Sequence, residues 1–118
     1  MQAQDRVACF CDEHDLDADP AYRVLDLAAE VGEVAADAAK SAEYGAAPED
    51  LAVTEDELGD ALFALLATAE ALDIDAEAAL ATSLAKYERR LDATGEAGSD
   101  AGEAGDGTET DESGSGGE

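Results

Sequence analysis

The sequence predicts an all-α fold, a four-helix bundle followed by an acidic tail, on three observations. Apolar residues recur three and four positions apart through four segments of the first 94 residues. No segment sustains the alternation of a half-buried strand. The segments are bounded by residues that start or stop helices, among them Pro20, Gly45, Pro48 and Thr54.

The first helix is expected over 4–14, where Val7, Phe10, Cys11 and His14 fall on one face. The Asp, Ala and Pro residues of 16–20 break it. The second is expected over 21–44, stopped by Gly45, with an apolar stripe of Val24, Leu27, Ala28, Val31, Val34, Ala35, Ala38 and Ala42. The third starts after Thr54, a good N-cap, and runs to about residue 72. Its second half is apolar nearly all round, with only Thr68 and Glu70 polar between 61 and 72, so it must be covered on most sides. The fourth spans about 75–92, with Leu80, Leu84, Tyr87 and Leu91 on one side. Alanine-rich helices with few aromatics give a thin core, so an oligomer that buries the remaining apolar face is expected.

The helical domain thus occupies residues 1–94. Beyond it, 95–118 holds Gly, Ser, Thr, Ala, Asp and Glu with no large apolar residue, the composition of a disordered, solubilising tail. Thirty-one acids against six bases give a net charge of −25, while 46% of residues are hydrophobic. Such a chain does not bind nucleic acid or an anionic membrane through a basic surface. The apolar fraction argues for a folded protein, and the acid excess for the salt-rich cytoplasm of an extreme halophile, an archaeon, where salt screens the repulsion. No apolar run is long enough to span a bilayer, and no secretory leader is visible. Cys9 and Cys11 form no disulfide framework and fit a reducing cytoplasm.

Two spacings carry chemistry. Glu30-Val-Gly-Glu33 in the second helix and Glu57-Leu-Gly-Asp60 in the third each place two acids on one helix face about one turn apart. Asp26, Glu30, Glu33 and Asp37 make a stripe beside the apolar one. If the two helices pack, four carboxylates meet at the rim of the core, and a hard divalent cation with oxygen ligands relieves their repulsion. Gly32 and Gly59, each directly before the second acid, suggest close helix approach. The competing reading is a solvated acidic face, with Thr54-Glu55-Asp56-Glu57 as a capping box. Three of the six bases, Lys86, Arg89 and Arg90, lie within five positions, a landing place for a polyphosphate or a set of local ion pairs. Lys40, two turns beyond Glu33, could reach a phosphate near the cation.

These residues resemble a known family. The stretch from Leu25 to Val34, followed by Glu57-Leu-Gly-Asp-Ala-Leu-Phe-Ala-Leu-Leu66, is similar to the E-x-x-E, spacer, E-x-x-D signature of the MazG-like nucleotide pyrophosphohydrolases. Lys86-Tyr-Glu-Arg-Arg-Leu91 resembles the K-[FY]-x-x-R-[FL] segment that follows it. The chain departs from the family at Ala29, where many members have a second glutamate, and near Leu84, where many have asparagine. The resemblance implies a cytoplasmic enzyme that cleaves nucleoside triphosphates to a monophosphate and pyrophosphate, as a homodimer or homotetramer with its site near the subunit contact. It further implies that Glu30, Glu33, Glu57 and Asp60 hold Mg²⁺, with Mn²⁺ a possible substitute. Glu30 and Glu33 would be catalytic, and Lys86, Arg90 and Lys40 would bind substrate. A phosphoribosyl-ATP pyrophosphohydrolase and a non-catalytic acidic helical module are the alternatives.

Two weaker patterns are set aside. Asp15-x-Asp17-x-Asp19 opens like a calcium loop, but Pro20 stands where that loop needs glycine. Cys11 and His14 share a helix face without other soft ligands, so both are expected to pack rather than bind metal.

Overall fold

A computed structural model describes residues 2–94; the tail expected over 95–118 lies outside the described residues. Among these residues the chain is all-helical and has no strand: α1 Gln2–Glu13, α2 Pro20–Ser41, α3 Glu55–Ala71 and α4 Ala76–Thr94, with two 3₁₀ turns, Glu43–Gly45 and Pro48–Asp50, between α2 and α3. The chain divides into two units, Met1–Glu77 and Ala78–Glu118. The first holds α1, α2, α3 and the start of α4. Of the second, α4 from residue 78 to Thr94 is described.

Local chemistry explains the helix ends. Pro20 is the first residue of α2, where its missing N–H costs nothing. Thr54 caps α3 by accepting the Glu57 N–H at 3.1 Å, and Asp75 accepts the Glu77 N–H at 2.9 Å in the first turn of α4. Helices α1 and α3 both end with an aspartate in the left-handed region, Asp15 at φ 53° and Asp73 at φ 56°. Each is followed by a 2.9 Å bond reaching back five residues, Leu16 N–H to Cys11 O and Ile74 N–H to Ala69 O. Aspartate tolerates this conformation better than most side chains, and it fills the place glycine usually takes.

α2 stops earlier than periodicity indicates. Ser41 is its last residue, and Glu43, Tyr44 and Gly45 all have positive φ. The Ser41 hydroxyl accepts the Ala52 N–H at 2.8 Å, so the chain after Ser41 is held by a segment eleven residues away. The apolar count could not register that bond.

In the first unit α3 packs against both α2 and α1. The core is small and alanine-rich: Ala42, Ala47, Ala64, Ala67 and Ala69 are buried together with Leu66, which is 3% exposed. Two polar side chains join it. The Thr68 hydroxyl lies 2.7 Å from the Ala64 carbonyl and 3.0 Å from the Arg23 carbonyl of α2. The buried Gln4 of α1 bonds the segment after α3. The α1–α2 connection is held by the Arg23 guanidinium, which donates to the Leu16 carbonyl and lies 3.8 Å from the Cys11 Sγ.

The face α2 turns inward is not the expected apolar stripe. Arg23, Leu27, Glu30, Val34, Asp37, Ala38 and Ser41 are half-buried and Ala42 is buried, whereas Val24, Ala28, Val31 and Ala35 are exposed, Val31 by 52%. Leu27, Val34, Ala38 and Ala42 of the expected stripe keep their inward place, but the inward face is displaced from that stripe toward Arg23, Glu30, Asp37 and Ser41. Glu30 thereby faces the helix pair and two valines face out. On α3, Leu58, Leu62 and Leu65 form a second exposed apolar row. The expected packing of His14 is not realised either. It lies past the end of α1, is exposed, and rests against the Phe10 ring with centroids 4.5 Å apart. No helix among the described residues is long and apolar enough to cross a membrane.

Candidate metal centre

The facing of α2 determines what the two acidic motifs can do. Glu30, half-buried on the inner face, has its carboxyl raised above the ordinary value. Loss of solvent contributes most, followed by the carboxylates of Glu33, Asp60, Asp26 and Asp56. Glu33 and Asp26 lie about one turn to either side of Glu30 on α2. Asp60 and Asp56 stand about one turn apart on α3. The Glu30 carboxyl of the first motif is thus raised in part by Asp60 of the second, on the neighbouring helix.

Asp56 belongs to this neighbourhood although neither motif contains it. Its signal was the four-residue spacing to Asp60, the same spacing that relates Asp26 to Glu30. Glu57, half-buried in the first turn of α3, is tied into the Thr54 cap through its backbone N–H. That cap fixes the turn that carries its carboxylate.

The donors are all carboxylate oxygens, the chemistry that suits a hard divalent cation. They do not form a finished cage: among the described residues no group of three His, Cys, Asp or Glu side chains stands close enough to hold an ion. The set fits a cation in donor type and charge. A bound cation would require the carboxylate ends to converge further.

The two motif glycines do not mark a close helix approach. A Cβ at Gly32 or Gly59 would meet nothing within 4 Å. Gly32 is two residues, about 200°, from the inward Glu30 and so points away from α3. Gly59 lines an open apolar groove of about 420 Å³ with Val7 and Phe10 of α1 and Leu62, Phe63 and Leu66 of α3. Phe10 and Phe63 meet there edge to face, 6.0 Å between centroids.

Lys40 is exposed in the last turn of α2, where a cation complements the helix dipole. Within the second unit, Lys86 and Arg90 flank one ring: the Lys86 Nζ is 5.3 Å and the Arg90 Cζ 5.7 Å from the Tyr87 centroid. The candidate phosphate-binding cations are thus organised around an aromatic side chain that the charge pattern alone did not single out.

No curated protein and no solved structure matches the chain. A family model does: that of the MazG nucleotide pyrophosphohydrolase domain matches residues 21–94, which contain both acidic motifs and the basic segment of α4. The chain belongs to the MazG nucleotide pyrophosphohydrolase domain family.

Proposed function

We propose that this protein hydrolyses nucleoside triphosphates to the monophosphate and pyrophosphate, with Glu30, Glu33, Glu57 and Asp60 holding Mg²⁺, which Mn²⁺ can replace. The observation that carries this reading is the packing of α2 on α3, which half-buries Glu30 of the first motif and raises its carboxyl, chiefly by loss of solvent and in part through Glu33 and the second motif's Asp60. Like charges set facing one another on two packed helices destabilise the fold, and an arrangement of this kind is explained by a ligand that neutralises it.

A bound divalent cation supplies water activation and neutralises charge on the leaving pyrophosphate. The chain's own residues do the rest. Glu30 and Glu33 orient the attacking water from α2. Glu57 and Asp60 face them from α3. Lys86 and Arg90, with Lys40 as a lesser contributor, receive the phosphate charge. Family membership supports the reaction class. The protein works as a homodimer or homotetramer; the exposed rows of Val24 and Val31 on α2 and Leu58, Leu62 and Leu65 on α3 support this. The free thiols of Cys9 and Cys11 agree with a reducing cytoplasm.

The test is pyrophosphate release from a panel of nucleoside triphosphates and phosphoribosyl-ATP, with Mg²⁺ in molar KCl. Turnover of a triphosphate is expected. Glu33→Gln should lower kcat by about a hundredfold or more while the helical circular dichroism is kept. Turnover of phosphoribosyl-ATP alone moves the assignment to that reaction. No pyrophosphate from any substrate, or Glu33→Gln with wild-type kcat, removes the proposal.

A further inference from the structure

Thr68 places a buried hydroxyl in the apolar half of α3. That hydroxyl lies 2.7 Å from the Ala64 carbonyl on its own helix and 3.0 Å from the Arg23 carbonyl of α2, and its one proton serves both. The second contact joins the helix of one acidic motif to the helix of the other. Arg23 is anchored in turn. Its guanidinium donates to the Leu16 carbonyl of the α1–α2 connection and lies 3.8 Å from the Cys11 Sγ of α1. Thr68 therefore grips a point of α2 that α1 also holds.

The surface beside it is largely alanine, with Ala64, Ala67 and Ala69 buried. Methyl groups present shallow ridges, so one such helix slides or turns on another at small cost. A buried hydroxyl has less latitude: displaced, it gives up its contact to α2 and finds no water in exchange. Single buried polar groups fix register between packed helices in this way.

The register decides which acids meet. α2 and α3 run antiparallel, since late α3 bonds early α2 and the end of α2, at Ser41, bonds Ala52 just ahead of α3. Asp60 is eight residues before Thr68, about 12 Å along α3, and Glu30 is seven residues after Arg23, about 10.5 Å along α2. Measured from the Thr68–Arg23 bond, the two acids come level to within about 1.5 Å, the rise of one residue. Arg23 and Glu30 are both half-buried on the inner face of α2, so the bond sets facing as well as height.

We infer that Thr68 is a positioning residue for the cation site: its bond to Arg23 locks the α2–α3 register that sets Glu30 level with Asp60. The inference rests on the proposed cation site and goes beyond it, because Thr68 stands about two turns from the nearest motif acid and is itself no ligand. With the register locked, the carboxylate ends converge on an ion by side-chain rotation alone. Without the bond, a slip of one residue displaces the facing acids by about 1.5 Å, and Mg²⁺ tolerates little departure from its octahedral geometry.

The experiment titrates Mn²⁺, whose free-ion electron spin resonance signal is lost on binding, into the full-length protein in molar KCl without nucleotide. Binding that survives in Glu33→Gln is the background of the acidic surface and is subtracted. Thr68→Val should raise the Kd for Mn²⁺ roughly tenfold, the result of a competent register reduced to about a tenth of the population. Thr68→Ser, which has the hydroxyl but not the methyl, should bind within about twofold of wild type although it melts lower. Where Thr68→Val does not fold, Thr68→Ala is set against Thr68→Ser, a pair that differs by the hydroxyl alone, and the same roughly tenfold gap is expected. A merely structural role lowers the number of ions bound per chain and leaves the Kd of the folded molecules unchanged. Equal Kd with and without the hydroxyl in either pair, or a loss as large in Thr68→Ser as in Thr68→Val, overturns the positioning role while the cation site stands. Wild-type binding no tighter than that of Glu33→Gln overturns the proposed cation site and this inference with it.

Discussion

Thr68→Val isolates the bond that joins the two motif helices. Thr68 is 6% exposed, and its hydroxyl stands 2.7 Å from the Ala64 carbonyl one turn back and 3.0 Å from the Arg23 carbonyl on α2. Valine keeps the shape and deletes the O–H. Both carbonyls lie inside helices and keep their backbone partners, so what is lost is the one bond across the interface. Removing one such bond costs about 1–1.5 kcal/mol. For a domain of about this size each kcal/mol moves the melting midpoint by roughly 4–8 °C. Thr68→Ser keeps the hydroxyl and loses one methyl, about 0.8 kcal/mol, so it should melt above Thr68→Val. The assay is thermal unfolding by circular dichroism in molar KCl at one fixed protein concentration, since an oligomer's midpoint moves with concentration. Thr68→Val melting at or above wild type while Thr68→Ser falls would mean that methyl packing, and not the bond to Arg23, holds α2 on α3.

Further outcomes concern charge, cation and backbone. The folded-state Glu30 carboxyl is raised above its unfolded value, so its contribution favours folding at low pH and is lost as pH climbs through the raised value. Metal-free Glu30→Gln should therefore melt above metal-free wild type at neutral pH, the gap closing on acidification; melts across pH 4 to 8, the range between ordinary carboxylate ionisation and neutrality, check it. Saturating Mg²⁺ should raise the wild-type midpoint, by about 2.7 kcal/mol at a hundredfold excess over Kd, and should fail to raise that of Glu33→Gln. An equal shift in both would place the cation elsewhere. Gly45 has φ 95°, closed to side-chain-bearing residues, so Gly45→Ala should cost about 1–2 kcal/mol in chemical denaturation without altering KM.

Much of the architecture was legible because it is written in local chemistry. Thr54 marks the start of α3, the apolar run marks its length, and the structure places it at Glu55–Ala71. The acids of the two motifs could be paired in advance because their spacing is a property of any helix. What escaped is non-local. The end of α2 depends on Ser41 meeting Ala52, and Gln4 is buried by partners some seventy residues away. The facing of α2 was misjudged for a different reason. Hydropathy places valines inside, whereas the observed register half-buries Glu30 and Asp37 and leaves Val24 and Val31 out. An apolar count has no means of distinguishing a buried stripe from an exposed one. The open space beside both motif glycines likewise needed three dimensions.

The turn of a cylinder about its axis sets two surfaces of α2 at once. Val24 and Val31 lie on the outer side of the same rigid rod whose inner side carries Glu30, so a change that turns the rod moves both. A substitution at Val31 that never approaches a nucleotide should still be felt by the carboxylates.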